Sequence, residues 1–133
     1  MSPLVAFLTP EQVLAIHRRV IEKFGGDPGI RDRGLMESAV AMPQAQFAGQ
    51  HLHQGIAEQA GAYLFHLCKN HPFIDGNKRV ALASAEVFVL LNGRVLSATN
   101  DELEELTMGV AAGNVSKDEA VAFFQAHVRE APE

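Results

Sequence analysis

Apolar residues recur at helical spacing through most of the chain. Val13, Ile16, Val20 and Phe24 stand three or four positions apart, the signature of one buried helix face. Thr9-Pro10-Glu11-Gln12 opens that helix as a capping box with proline at its first position, and Gly25-Gly26 stops it. From Val80 to Leu91 the chain is apolar on nearly all faces, predicting a buried central helix over Lys78 to Leu91 that ends at Asn92-Gly93. Two further capping boxes, Thr99-Asn100-Asp101-Glu102 and Ser116-Lys117-Asp118-Glu119, open helices. The first carries Leu103, Leu106, Val110 and Ala111, and the second Val121, Phe124 and Val128. Helices from about Arg33 to Ala41, ended near Pro43, and from about Gly55 to Asn70 fill the intervals. No run alternates apolar and polar long enough to demand a sheet, so an all-α bundle of about six helices is expected. Two short segments remain open to extended structure. Ala45-Gln46-Phe47-Ala48-Gly49 reads either as extended chain or as a loop with Phe47 tucked into the core, and Arg94-Val95-Leu96 as a connection after the central helix.

At 133 residues, 47% hydrophobic and 20% charged, the chain reads as a single domain over 1–133 with a substantial core. Its longest apolar stretch contains Ser84 and Glu86 and is too short to span a bilayer. The first residues, with Pro3 and no basic region, do not form a secretory signal pattern. The single cysteine, Cys68, fits a reducing, cytoplasmic setting and a buried thiol. A net charge of −5 argues against direct nucleic-acid binding over a broad surface. Against that acidic background Lys69, Lys78 and Arg79 form a positive island.

The candidate chemistry concentrates in His71-Pro72-Phe73-Ile74-Asp75-Gly76-Asn77-Lys78-Arg79. Pro72 biases His71 toward an extended backbone and ends the preceding helix near Asn70. Asp75 and Gly76 supply a turn that feeds the next helix N-terminus, where free N–H groups and the helix dipole attract phosphate. Lys78 and Arg79 sit in that first turn, an unfavourable place for cations unless an anion offsets them. Asp75 is a natural Mg²⁺ ligand. His71 carries the one side chain that ordinarily titrates near neutral pH, and so can take a proton from a hydroxyl. Singly, His-Pro is a helix terminator, Asp-Gly a turn and Lys-Arg a solvated pair; their coincidence in one loop is what points to chemistry. Elsewhere, His51, His53 and His66 lack the spacing and acidic or thiol company of a transition-metal site. His17 and His127 suggest no function, Tyr63, Phe65 and Leu67 read as packing, and Arg31 and Asp32 either approach the loop or are solvated.

The loop matches H-P-F-x-[D/E]-G-N-[G/K]-R at every position, and so resembles the Fic superfamily; Lys78 resembles its death-on-curing (Doc) toxin branch. Gly25 to Gly29, Ile30 to Ala39, Leu91-Asn92-Gly93 and Thr107 to Gly113 are also similar to segments of these toxins. The resemblance implies a Fic-fold helical bundle with a short flap, a β-hairpin-like segment at Ala45, Gln46, Phe47 and Ala48 that pairs with a target backbone. It implies His71 as general base, Asp75 with Mg²⁺, and Gly76, Asn77, Lys78 and Arg79 as the phosphate-binding turn. Asn77 and Arg79 are expected on nucleotide phosphates, with Lys69 standing where some Doc toxins carry arginine. The implied activity is that of a toxin–antitoxin system: ATP-dependent phosphorylation of a threonine of elongation factor Tu, arresting translation. Pro72 and Gly76, however, are choices of the adenylylating branch, so AMP transfer is an alternative. A non-catalytic binding module and small-molecule phosphotransfer, which needs a deep closed pocket, are others. No [S/T]-x-x-x-E-[G/N] inhibitory segment occurs in the chain. The resemblance implies that restraint comes instead from a separate antitoxin, whose disordered tail folds as a helix in an apolar groove.

Overall fold

A computed structural model describes residues 4–132; the expectation about a leader around Pro3 lies outside them. Six helices form: α1 (Pro10–Phe24), α2 (Arg33–Ala41), α3 (Gly55–Asn70), α4 (Asn77–Leu91), α5 (Asn100–Ala112) and α6 (Lys117–His127). All three capping boxes are present, Thr9 accepting from the Gln12 N–H, Thr99 from Glu102 and Ser116 from Glu119. These local contacts are why the helix starts could be read from sequence. After α2 a short 3-10 turn, Met42–Gln44, absorbs Pro43.

The helix at the centre is α3, which packs against α2, α4, α5 and α6. Ala60, Tyr63, Leu64 and Leu67 on α3 meet Val80, Ala81, Ala85, Phe88 and Val89 on α4 in one core with Phe124 and Val110. The apolar run of α4 is thus buried on one side only. In its last turn Phe88 and Val89 are still in the core, while Leu90 and Leu91 face outward and are exposed. Tyr63 is fully buried and takes the Leu8 N–H on its hydroxyl at 2.8 Å, tying down the segment before α1.

Two small antiparallel pairs complete the fold. β1 (Gln46–Phe47) pairs with β2 (Gln50–His51) across a turn in which Ala48 and Gly49 both have positive φ, the geometry of a tight hairpin. Phe47 is 77% exposed, so the buried-loop alternative does not hold. β3 (Arg94–Leu96) pairs with β4 (Val128–Glu130), Leu96 opposite Val128. Val128, expected on the last helical face, is extended instead, because β3 offers its backbone partners that a further helical turn would lack.

Candidate anion-binding and catalytic site

The site is built where the loop after α3 meets the loop after α1. His71 ends α3 in the left-handed conformation (φ 50°, ψ 55°) rather than the extended one expected from Pro72. The cause is long-range: Arg31 donates from Nε to the His71 carbonyl at 2.7 Å and from a terminal nitrogen to the Asn70 carbonyl at 2.8 Å, gathering the last carbonyls of the helix. The Pro72 carbonyl then accepts the N–H groups of Arg31 (2.8 Å) and Asp32 (3.0 Å), and the Ile74 N–H donates to the Gly29 carbonyl (3.1 Å). Ile30 and Phe73 are thereby paired as an antiparallel bridge. Asp32 also caps α2 through the Leu35 N–H. Neither loop charge is idle.

Beneath the bend, α1 provides support. His17, buried, stacks on the Phe73 ring with centroids 3.9 Å apart. Its Nε2 lies 3.0 Å from the Asp75 carbonyl oxygen; a carbonyl only accepts, so that nitrogen carries the proton. Gly76 has φ 84°, and a Cβ there would press on Val20 at 3.3 Å, so conformation and space both call for glycine. The Asp75 carboxylate accepts the Asp27 N–H at 2.7 Å through Oδ2. Asn77 is turned inward: its Oδ1 accepts the Phe73 N–H (2.9 Å) and its Nδ2 donates to the Phe73 carbonyl (2.8 Å). Its side chain therefore staples the bend instead of reaching for phosphate, which corrects the expectation for its amide and leaves its backbone N–H for that purpose.

These constraints open a cavity of about 430 Å³ lined by His71, Asp75, Gly76, Lys78 and Arg79, with Cys68 and Ala111 behind, a size suited to a small ligand. The first helical bond of α4 runs from Val80 to Gly76, so the N–H groups of Asn77, Lys78 and Arg79 stand outside the ladder. Lys78 and Arg79 are exposed in the same turn. Burial pushes the Cys68 thiol up in pKa, as befits a wall residue and not a nucleophile. No cluster of three or more carboxylate, imidazole or thiol groups occurs among the described residues. Asp75, exposed and with Oδ1 uncommitted, fits an ion that takes a single carboxylate and completes its shell on phosphate and water.

Two expected site elements lie elsewhere. The Lys69 ammonium donates to the Val110 carbonyl at 3.5 Å, near the end of α5, and does not line the cavity. The hairpin of Ala45, Gln46, Phe47 and Ala48 precedes α3, whereas His71 follows it, so the two lie beyond opposite ends of a helix about 24 Å long at 1.5 Å rise per residue. Gly49 to His51 face Leu91 and Asn92 around a separate cavity of about 830 Å³. That larger space holds no carboxylate and none of the loop residues, so the smaller one is the candidate site. The segment that does flank His71 is the loop from Gly25 to Asp32.

Sequence reasoning missed His17 and Asp27 as parts of the site and left Arg31 open. No local signal marks them, since each acts across 39 or more positions.

The sequence profile described as "Fic/DOC family" matches residues 7–89, which include α1 and the whole loop. The chain is 37% identical over 109 residues to "Protein kinase doc" of Escherichia phage P1, covering 82% of this chain and 85% of that protein. It is 40% identical over 101 residues to "Toxin Doc" of Mycolicibacterium smegmatis, covering 74% of this chain and 78% of that protein. With the helical bundle and the loop at the head of α4, these matches place the chain in the Fic/DOC family.

Proposed function

We propose that this chain is the toxin of a toxin–antitoxin pair, a cytoplasmic transferase that moves the γ-phosphoryl group of ATP to a protein hydroxyl. The observation that carries this reading is the convergence of His71, Asp75, Lys78 and Arg79 on one cavity at a helix N-terminus. The exposed imidazole of His71 takes the proton of the acceptor hydroxyl as its oxygen attacks phosphorus, and the bond from phosphorus to the ADP oxygen breaks. The free N–H groups of the turn, Lys78 and Arg79 bind the phosphate oxygens. Mg²⁺, held by Asp75 and the nucleotide, would neutralise charge on the phosphates.

The phage relative is named as a protein kinase, which supports phosphoryl transfer, as does lysine at position 78. A threonine of elongation factor Tu is the proposed acceptor. Between α1 and α4 runs a groove of about 230 Å³ lined by Ile16, Val20, Phe24, Ala83 and Val87 and rimmed by Arg19 and Lys23. It suits one apolar face of an antitoxin helix. No described helix is long and apolar enough to cross a membrane.

The test is to incubate the chain with elongation factor Tu, Mg²⁺ and ATP and weigh the products. A gain of one phosphate, absent with His71→Ala, is expected. A gain of one AMP would replace the reading with adenylyl transfer, and no gain on any protein substrate would favour a binding module.

A further inference from the structure

Arg79 lines the cavity at the head of α4, yet among the described residues it forms no ion pair. Its guanidinium carbon lies 4.0 Å from the centroid of the Phe24 ring. An arginine held by a carboxylate has already committed the fork of N–H groups that recognises phosphate. One held on an aromatic face keeps its donors, which radiate in the guanidinium plane, while losing much of its rotational freedom.

The ring is itself anchored. Phe24 is the last residue of α1, and three positions later the Asp27 N–H grips the Asp75 carboxylate. One short stretch of chain therefore touches two of the charged groups of the cavity, Asp75 and Arg79. The Lys23 ammonium lies 5.3 Å from the centroid of the same ring, so the ring meets two cations.

We infer that Phe24 is a positioning residue, its ring pre-orienting the Arg79 guanidinium for the nucleotide's phosphates. The inference rests on the phosphate-binding reading given above. A bland alternative is that the half-exposed ring only fills the groove beside Val20 and Val87.

Calorimetric titration of the full chain with ATP and Mg²⁺ separates these, using Phe24→Leu, Phe24→Trp, Arg79→Ala and the double variant Phe24→Leu/Arg79→Ala. Phe24→Leu is expected to weaken binding about three- to tenfold, Phe24→Trp to retain it, and Phe24→Leu to cost nothing further once Arg79 is gone. In turnover, KM for ATP rises more than kcat falls. Without any ligand, the ring-current shift of the Arg79 side-chain protons in the NMR spectrum disappears in Phe24→Leu and persists in Phe24→Trp. Unchanged binding in Phe24→Leu overturns the inference while leaving the phosphate reading intact. So does an equal loss with and without Arg79. Absence of ATP binding by the unaltered chain overturns both. Should Phe24→Leu fail to fold, the Phe24→Trp titration and spectrum decide alone, loss of binding or of the shift counting against the inference.

Discussion

His17 donates from Nε2 to the carbonyl oxygen of Asp75, 58 positions further along the chain, and so fixes the bend from which the carboxylate projects. Replacing it with alanine removes that donor and the stack on Phe73. His17→Ala is expected to lower unfolding free energy by about 2–4 kcal/mol. His17→Gln, which can still donate, should recover more of the transferase kcat than of the stability. Urea titration together with steady-state kinetics checks both, and equal recovery would reduce His17 to a core residue.

The left-handed backbone at His71 costs an ordinary residue about 1 kcal/mol that glycine avoids. His71→Gly should therefore unfold at the same temperature as the parent or slightly higher, while kcat falls about 100- to 10,000-fold. A variant that lost stability and activity together would argue that the imidazole is structural.

Asn77→Ala leaves the buried N–H and carbonyl of Phe73 without partners. A loss of about 2–4 kcal/mol is expected, large for a polar residue beside a surface cavity. If thermal unfolding were unchanged and only nucleotide affinity fell, the amide would be a ligand contact after all.

Lys69 and Lys78 are nine positions apart and only Lys78 lines the cavity. Lys78→Ala should raise KM for ATP about tenfold or more, whereas Lys69→Ala should leave it within about twofold of the parent. The reverse order would return Lys69 to the site.

His66 titrates at about 4, lowered from 6.5 chiefly by burial, with Lys117 and His53 adding to the shift. Between those two values the unfolded chain binds the extra proton and the folded chain does not. Stability therefore rises with pH across that window and is lost as pH falls from 6.5 toward 4. His53, also lowered mainly by burial, acts in the same sense. Denaturation midpoints of His66→Gln should fall less steeply through this range than those of the parent, and parallel curves would contradict the shift.

The helices were legible because their determinants are local: Thr9, Thr99 and Ser116 bond within three residues of themselves. The loop's chemistry was legible because its reactive groups are adjacent in sequence. What escaped was everything decided by contacts between distant segments. The rule that proline extends its predecessor lost at His71 to an arginine 40 positions away. Val128 left its helix for β3, across more than 30 residues. The flap was assigned by resemblance to Ala45 through Ala48, but the chain reverses between α2 and α3. That reversal carries the hairpin to the far end of the bundle and brings Gly25 to Asp32 beside His71.

The Ile30 and Phe73 pairing is made entirely of main-chain hydrogen bonds, while the side chains of Ile30 and Ile74 remain 40% and 49% exposed. Amide and carbonyl groups are indifferent to what hangs from the α-carbon. Substitution at Ile30 thus leaves the bridge's hydrogen bonds in place, whereas Ile74 also lines the cavity beside His71. Under the proposed transfer reaction, a change of acceptor is therefore expected to come from the Ile30 side of the rim, where side chains can vary over an unchanged backbone.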